Sequence, residues 1–203
     1  MGILRYVIMI ALGYLMGSIP VGYLVVKLVK GTDVRQHGSG RTGGTNVWRA
    51  AGLWPAILTV SGDFLKGVIA VWIAKVILGN SIGEVLVGVP AIAGHNWSVF
   101  LGWRGGAGTI THLGVISMLS LPVALALVAA GLLVIVISRY ASVASLTVVT
   151  LAPAIFLGLA LFAHHPLLHA LYGLLAGTTV VLALRSNIVR LLSGTERRLS
   201  IRL

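Results

Sequence analysis

Long apolar runs, separated by short polar segments, constrain this chain more than any other feature of its sequence. They lie at about 4–26, 56–78, 84–100, 108–120, 122–138, 142–163 and 167–184. A helix of roughly 20 apolar residues crosses the hydrocarbon core of a bilayer. Only 9% of the 203 residues are charged, which is too few to cover a soluble domain. The sequence therefore predicts one all-α domain over residues 1–203, a polytopic membrane protein with about seven transmembrane helices.

Two of these runs leave the helix count open. The run at 108–120 is short for a full crossing, so it indicates a tilted or partial helix. The break at Ser120, Leu121 and Pro122 favours two separate helices, and a single kinked helix is the alternative.

The basic residues predict the orientation. On the side of the membrane that holds the N-terminus, the only basic residue of the loops and the terminal segment is Arg5. The loops on the opposite side and the C-terminal tail hold twelve: Lys27, Lys30, Arg35, Arg41, Arg49, Arg104, Arg139, Arg185, Arg190, Arg197, Arg198 and Arg202. Basic loops face the cytoplasm, so the N-terminus is expected outside and the C-terminus inside a bacterial plasma membrane. The same rule accounts for the net charge of +11 without a nucleic-acid partner. The chain has no cysteine, which excludes disulfides and thiol chemistry.

A glycine-dense polar segment at 38–46, the 38–46 loop, falls on the predicted cytoplasmic side. Its glycines allow close backbone approach to a ligand, and its polar side chains are Ser39, Arg41, Thr42, Thr45 and Asn46, with Arg49 just beyond. The spacing also matches the G-x-G-x-x-G dinucleotide fingerprint. That fingerprint needs a strand before it and a βαβ unit around it, and this chain predicts neither. We therefore interpret the loop as an anion site at a membrane surface.

Two further polar segments lie on the same predicted side. Gly94 and His95 precede a second glycine-rich segment, the 105–108 loop, whose N–H groups are expected to form an anion-binding nest before a helix N-terminus. The C-terminal region holds Asn187, Arg190 and a lone carboxylate, Glu196, which is expected to have a specific partner. For the three last arginines, Arg197, Arg198 and Arg202, we expect contact with anionic lipid headgroups.

Ionisable residues within the apolar runs have two readings. Asp63 and Lys66 share a helical face, either as a structural ion pair or as support beneath the 38–46 loop. Lys75 is expected to be a solvated anchor near a helix end.

Alternative chemistries find little support in the sequence. A Ser39–His95–Asp63 triad is conceivable, but spacing cannot establish its geometry. His95 and His112 are too far apart in sequence to suggest metal ligands, and we interpret the remaining histidines of the predicted outer side, His164, His165 and His169, as interfacial. No metal and no cofactor are predicted.

Taken in order, the motifs resemble a known family. They are Ser39-Gly40, Gly43-Gly44-Thr45-Asn46, Arg49, Asp63, Lys66-Gly67, Gly94-His95, Val99-Phe100-Leu101-Gly102, Gly105-Gly106-x-Gly108, Asn187-Ile188-x-Arg190 and Gly194-Thr195-Glu196. This series resembles the bacterial acyl-phosphate:glycerol-3-phosphate acyltransferases, and it covers nearly the whole chain. The resemblance implies acyl transfer from acyl phosphate to the 1-hydroxyl of glycerol-3-phosphate, which gives lysophosphatidic acid. It also implies membrane lipid as surroundings and, as a candidate partner, an enzyme that supplies acyl phosphate.

The resemblance implies roles for individual residues. His95, Ser39, Asn187 and Glu196 would be catalytic. Substrate binding would fall to Arg49, Asn46, Thr45, Arg41, Gly105, Gly106, Gly108 and Arg190. Arg49 would bind the phosphate of glycerol-3-phosphate, and the 105–108 loop would bind the acyl phosphate.

The sequence departs from the family pattern at two positions. Ala107 stands where the family usually has lysine, and Arg41 stands where it usually has asparagine. We hypothesise that Arg41 swings into the space beside Ala107 and restores the positive charge, with His112 as a second source. The departures leave two alternatives: a diverged paralogue with another acceptor or donor, and a catalytically silent membrane protein that binds phosphate or lipid.

Overall fold

The computed structural model describes residues 2–199, and these residues form helices and connecting loops without strands. Ten α-helices follow one another in the chain: α1 (Gly2–Ser18), α2 (Val21–Lys30), α3 (Gly44–Ala51), α4 (Leu53–Leu78), α5 (Ser81–Asn96), α6 (Thr109–Leu119), α7 (Leu121–Ser138), α8 (Ala141–Phe162), α9 (Leu167–Ala183) and α10 (Arg185–Leu192). Short 3₁₀ turns lie at Val34–Gln36 and Val99–Leu101.

Several of these helices are membrane spans by length and composition. Four segments of residues 2–199 are long and apolar enough to cross a bilayer: Gly2–Lys30, Leu53–Leu78, Leu121–Ser138 and Ala141–Phe162. A fifth is formed by α9 and α10 if that pair, bent by 64°, is one span. The structure thus supports a multi-pass membrane protein, and a seven-span topology stays a prediction.

The helix bounds correct the sequence-based interpretation in four places. The first span breaks at Ile19 and Pro20, because proline at the start of α2 supplies no N–H for a continuous helix. Helix α5 ends at Asn96, four residues before the predicted end at 100. The two segments interpreted as polar loops contain helices α3 and α10. The break at Ser120 does separate two helices, as predicted.

Small residues bring α6 against α4. A side chain on Gly67 would collide with the Thr111 carbonyl, and one on Gly114 would collide with the Phe64 carbonyl. Such close backbone approach is typical of membrane helices, where small residues permit van der Waals packing in lipid. The contact fixes the N-terminus of α6 beside the middle of α4.

The opposite end of the bundle holds a polar cluster that the sequence did not predict. Glu84 Oε2 lies 2.7 Å from His169 Nε2, and His169 Nδ1 lies 2.9 Å from His165 Nε2. Lys75 Nζ is 3.5 Å from Glu84 Oε1, so this lysine, expected to be a solvated anchor, pairs with a carboxylate. His169 is buried, which corrects its interpretation as an interfacial residue.

Candidate active site

A polar cavity of about 130 Å³ lies at the end of the bundle where α5 ends and α6 and α8 begin. Its walls come from the 38–46 loop, α3, the 105–108 loop, α8, α10 and the segment after α10. Ten of the twelve residues predicted for the site line it: Ser39, Arg41, Thr45, Asn46, Arg49, His95, Gly108, Asn187, Arg190 and Glu196. Tertiary structure therefore brings together residues that are more than 150 positions apart in sequence.

His95 is oriented by a buried carboxylate on α4. Its Nδ1 atom lies 3.4 Å from Asp63 Oδ1, and the same oxygen is 2.9 Å from Lys66 Nζ. Lys66 also donates to the Ile19 carbonyl at 3.0 Å. Asp63 thus makes the expected ion pair, and the cavity residue that it supports is His95 on α5 and not a residue of the 38–46 loop. Asp63 lines the cavity itself.

Ser39, His95 and Asp63 line one cavity, as a triad would require. Ser39 and His95 form no hydrogen bond with each other in the part of the chain that the structure describes. The hydroxyl is thus not activated by the imidazole in this arrangement.

The 105–108 loop holds His95 in place, and the N–H groups of Gly105 and Gly106 are not free to join the predicted anion-binding nest. The Gly105 N–H donates to the Asn96 carbonyl at 3.1 Å, and the Gly106 N–H donates to the His95 carbonyl at 3.0 Å. Neither glycine is among the cavity-lining residues. A Cβ atom on Gly106 would collide with His95 Nε2, so glycine is required for the imidazole to lie against this backbone.

The remainder of this loop does face the cavity. Ala107, Gly108 and Thr109 line it at the N-terminus of α6, where the positive end of the helix dipole lies. Gly108 has φ of +87°, a left-handed conformation that favours glycine. Thr109 Oγ1 is buried and has no hydrogen-bond partner among residues 2–199. The helix start, not Gly105 or Gly106, is therefore the part of this loop that can meet an anion.

Asn46 lines the cavity but uses its side-chain amide to shape the 38–46 loop. Its Oδ1 accepts from the Ser39 N–H at 2.9 Å, and its Nδ2 lies within 3.0 Å of the carbonyls of Val34, His37 and Arg41. The residue is buried. Asn46 thus positions Ser39 and Arg41 at the cavity, a contribution that the motif alone did not distinguish from direct substrate binding.

Glu196 is the centre of a second polar cluster. It accepts hydrogen bonds from Asn187 Nδ2 at 2.7 Å, Arg190 Nε at 2.8 Å and Ser142 Oγ at 3.2 Å. Burial raises the pKa of this carboxyl, but the hydrogen bonds from Asn187 and Arg190 outweigh burial and lower the pKa below its ordinary value. The expectation that this carboxylate has a specific partner is confirmed, and the cluster joins α8, α10 and the segment after α10.

Arg41 contacts the bend between α9 and α10. Its Nη2 atom donates to the Ala183 carbonyl and lies 3.2 Å from Ser186 Oγ. A cation at this place also meets the negative end of the α9 dipole. Burial lowers the pKa of Arg41 from its ordinary value, and the charge of Arg190 lowers it further. Arg41 and Ala107 line the same cavity, but the proposed swing toward Ala107 is not seen here and stays a hypothesis.

His112 cannot supply the missing charge. It is fully buried, its Nδ1 lies 2.9 Å from Tyr172 Oη, and the two rings stack with centroids 5.4 Å apart. It is not among the residues that line the cavity. The prediction for His112 is therefore wrong, because α6 turns this side chain into the core.

Sequence reasoning missed several residues of the cavity wall. Ser142, Ser145 and Leu184 lie within segments that look apolar in sequence, so they gave no signal. Arg197 was expected in a lipid-bound tail and instead lines the cavity. In residues 2–199, no group of three or more His, Asp or Glu side chains is arranged to hold a metal ion.

An apolar groove of about 640 Å³ adjoins the polar cavity. Its walls come from α4, α6, α7 and α8, with Phe64, Leu113, Leu127, Leu132 and Val148 among the lining residues. Five residues line both spaces: Thr45, Thr109, Ile110, Ala141 and Ser145. A ligand with an anionic head and a long apolar chain could therefore occupy both at once.

Comparison with known proteins identifies the family. Residues 7–194 match the family model described as glycerol-3-phosphate acyltransferase. The chain belongs to this family. A glycerol-3-phosphate acyltransferase of Desulforudis audaxviator is 43% identical over 208 residues, which cover 100% of both chains. One from a Synechococcus strain, CC9902, is 41% identical over 97% of this chain and 96% of its own.

Two solved structures of the glycerol-3-phosphate acyltransferase family have the same fold. Both are crystal structures of PlsY, described as an integral membrane glycerol 3-phosphate acyltransferase. The glycerol 3-phosphate form has a TM-score of 0.87 at 36% identity, and the lysophosphatidic acid form has 0.85 at 35%. Each match covers 97% of this chain and 96% of the other. The family and the integral-membrane fold implied by the sequence motifs are thus confirmed.

Proposed function

We propose that this chain transfers a fatty acyl group from acyl phosphate to the 1-hydroxyl of glycerol-3-phosphate and releases lysophosphatidic acid and phosphate. The observation that carries the proposal is the junction of a cationic polar cavity with an apolar groove through five shared residues. Headgroups that carry phosphate fit the cavity, and an acyl chain fits the groove. Family membership supports the same reaction.

The reaction needs no covalent enzyme intermediate. The acceptor hydroxyl forms a new C–O bond at the acyl carbonyl, and the bond from that carbon to the phosphate oxygen breaks. The acyl phosphate is a mixed anhydride, so phosphate is a good leaving group, and it takes up the hydroxyl proton. The enzyme therefore contributes chiefly orientation and stabilisation of charge.

The proposed roles follow the positions of the side chains. Arg49 binds the acceptor phosphate, because its side chain lines the cavity without an internal ion pair among residues 2–199. Gly108 and Thr109, at the start of α6, bind the donor phosphate beside the groove. His95, held by Asp63, orients the attacking hydroxyl with Ser39.

The remaining residues support this arrangement. Asn187, Arg190 and Glu196 act as one unit and position polar groups on the α10 side of the cavity. Asn46 shapes the 38–46 loop, Thr45 lies where cavity and groove meet, and Arg41 provides positive charge near the bend. Gly105 and Gly106 act through His95, which they hold.

The proposed topology places the cavity at the cytoplasmic face of a bacterial plasma membrane, with seven spans and the N-terminus outside. The positive-inside distribution of Lys and Arg supports this orientation. Glycerol-3-phosphate would then reach the cavity from the cytoplasm, the acyl donor would arrive through the bilayer, and an enzyme that supplies acyl phosphate would act from the same side.

The direct test is an assay of the purified protein with acyl phosphate and glycerol-3-phosphate, in which lysophosphatidic acid and released phosphate are both measured. We expect one phosphate for each lysophosphatidic acid formed, and we expect His95→Ala to lose most of the turnover. Phosphate release without acylated product would contradict the proposal, since it would indicate hydrolysis.

A second candidate function rests on Ala107, which leaves the 105–108 loop without a cation. A diverged enzyme would use another donor or acceptor, and product from acyl-CoA but not from acyl phosphate would identify it. A silent binding protein would bind phosphate or lipid and give no product with either donor.

A further inference from the structure

Arg197 belongs to the cavity and not to a lipid-bound tail. The segment that carries Arg197 is attached to the rest of the protein on both sides of this residue. The Thr195 N–H donates to the Arg190 carbonyl at 2.8 Å, and the Leu199 N–H donates to the Arg139 carbonyl at 2.7 Å. Between these two contacts, Glu196 accepts its three side-chain hydrogen bonds. A segment fixed in this way presents Arg197 at the cavity wall in a defined position.

The neighbouring arginine, Arg198, has a different environment. Arg198 points away from the cavity, where its Nε donates to Tyr140 Oη at 2.9 Å and its guanidinium lies 5.4 Å from the Tyr140 ring centroid. Arg198 is not among the lining residues. Two adjacent exposed arginines thus have different environments, and only the first faces the cavity.

The cavity wall holds a second guanidinium group, that of Arg49. Neither Arg49 nor Arg197 forms an ion pair or side-chain hydrogen bond within the part of the chain that the structure describes, whereas Arg190 is paired with Glu196. Arg49 and Arg197 line the same cavity, so the two cations share one polar space. Burial lowers the pKa of Arg49, the positive charge of Arg197 lowers it further, and the negative charge of Glu196 opposes both effects. Like charges at short range repel, and a shared dianion would remove that repulsion.

We propose that Arg197 and Arg49 form a two-armed guanidinium clamp that binds the phosphate of the acyl acceptor, glycerol-3-phosphate. This inference rests on the proposed function and adds a binding residue to it. A phosphate monoester carries nearly two negative charges at neutral pH and has three acceptor oxygens, so it can accept hydrogen bonds from two guanidinium groups.

The position of the clamp favours the acceptor over the donor. The groove for the acyl chain meets the cavity at five residues, Thr45, Thr109, Ile110, Ala141 and Ser145. Arg49 is one helical turn beyond Thr45 on α3, and neither Arg49 nor Arg197 lines the groove. The donor carbonyl must lie near the groove, so two cations that line the cavity but not the groove are available to the phosphate of the other substrate.

The test compares Arg197→Gln with its neighbour Arg198→Gln, a control with the same change of charge in the same segment. Arg197→Gln is expected to raise the KM for glycerol-3-phosphate and to weaken its binding, measured by calorimetry without donor, by about tenfold or more. Arg198→Gln is expected to change both by less than about twofold. Equal effects of the two variants would overturn the proposal, since they would show a general dependence on charge.

Two further measurements define the clamp. The first is the affinity of the double variant, Arg49→Gln with Arg197→Gln, for glycerol-3-phosphate. If both arginines hold one phosphate, the fold-loss of affinity in the double variant should be smaller than the product of the two single fold-losses. A rise in the KM for acyl phosphate alone would overturn the assignment to the acceptor. Calorimetry separates this inference from the proposed function: parent protein that binds glycerol-3-phosphate but forms no product would contradict the function, and loss of binding in Arg197→Gln would still support the clamp.

Discussion

Asp63 Oδ1 lies between two side chains, 3.4 Å from His95 Nδ1 and 2.9 Å from Lys66 Nζ. One buried carboxylate on α4 therefore orients the imidazole at the end of α5 and compensates a buried ammonium on its own helix. The contact ties the cavity to the packing of the bundle, because His95 is also enclosed by the glycines of the 105–108 loop.

Removal of the Asp63 charge should affect both stability and turnover. Asp63→Asn leaves Lys66 buried and unpaired, which is expected to cost about 3–5 kcal/mol. The double variant Asp63→Asn with Lys66→Met removes both charges and should recover most of the thermal stability while turnover stays low, because His95 still lacks its carboxylate. Thermal unfolding and steady-state assays would check this, and full turnover in the double variant would contradict the orienting role.

Gly106 should be far less tolerant of alanine than a glycine with free space. A methyl group at Gly106 would collide with His95 Nε2 and displace the imidazole, so Gly106→Ala is expected to lower kcat by about 10-fold or more, as misplacement of a catalytic group does. Gly158→Ala is the matched control, since no atom of the described residues lies within 4 Å of a methyl group there, and it should keep parental kcat. Similar kcat for the two variants would argue against the steric explanation.

Arg41 should matter through its charge in the cavity. Arg41→Ala removes a charge-assisted contact worth about 1.5–3 kcal/mol, so we expect the KM for a phosphate substrate to rise by roughly one to two decades. If Arg41 replaces the lysine usual at position 107, Ala107→Lys should be neutral or harmful in the parent and should restore activity to Arg41→Ala. Unchanged kinetics in Arg41→Ala would refute this role.

Ser186→Ala provides the control for Arg41. It removes one hydrogen-bond partner of the guanidinium outside the cavity and leaves the charge in place. We expect a small change in KM, less than about threefold, because a single exposed hydrogen bond contributes little. An effect as large as that of Arg41→Ala would show that Arg41 acts by holding the bend between α9 and α10.

Glu196 should make the stability of the folded protein fall at acidic pH. Its pKa in the folded protein lies below the ordinary value of 4.5, because hydrogen bonds from Asn187 and Arg190 outweigh the opposing effect of burial. Its contribution to stability is therefore full above about pH 4.5 and is lost as the pH falls through the lower folded value. Thermal unfolding between pH 7 and 3 should show a smaller decline in Glu196→Gln than in the parent, whereas parallel curves would contradict this linkage.

Much of the fold was predictable from local pattern. Apolar runs gave α4, α6, α7 and α8 nearly to the residue, because each must satisfy its backbone hydrogen bonds within lipid. The short helices α3 and α10 were not predicted, since eight residues of mixed polarity carry no span signal and depend on packing at the bundle end.

The motifs predicted most of the site, but not the contacts of each residue. His95, Arg49 and Asn187 line the cavity as expected, while Gly105 and Gly106 hold His95 and do not line it. A glycine has the same signature in sequence whether its N–H faces a ligand or a neighbouring carbonyl. Only the fold distinguishes these two uses.

The sequence by itself determined that this is a multi-pass membrane protein of the glycerol-3-phosphate acyltransferase family, because hydropathy and ordered motifs are properties of the linear chain. Tertiary structure alone decided which charges are compensated. Among residues 2–199, Lys75 is paired and Arg49 is not, His112 is buried in the core, and Arg197 faces the cavity while Arg198 turns away from it. The reason is physical: the environment of a charge depends on the residues that packing brings to it, and these lie far away in the sequence.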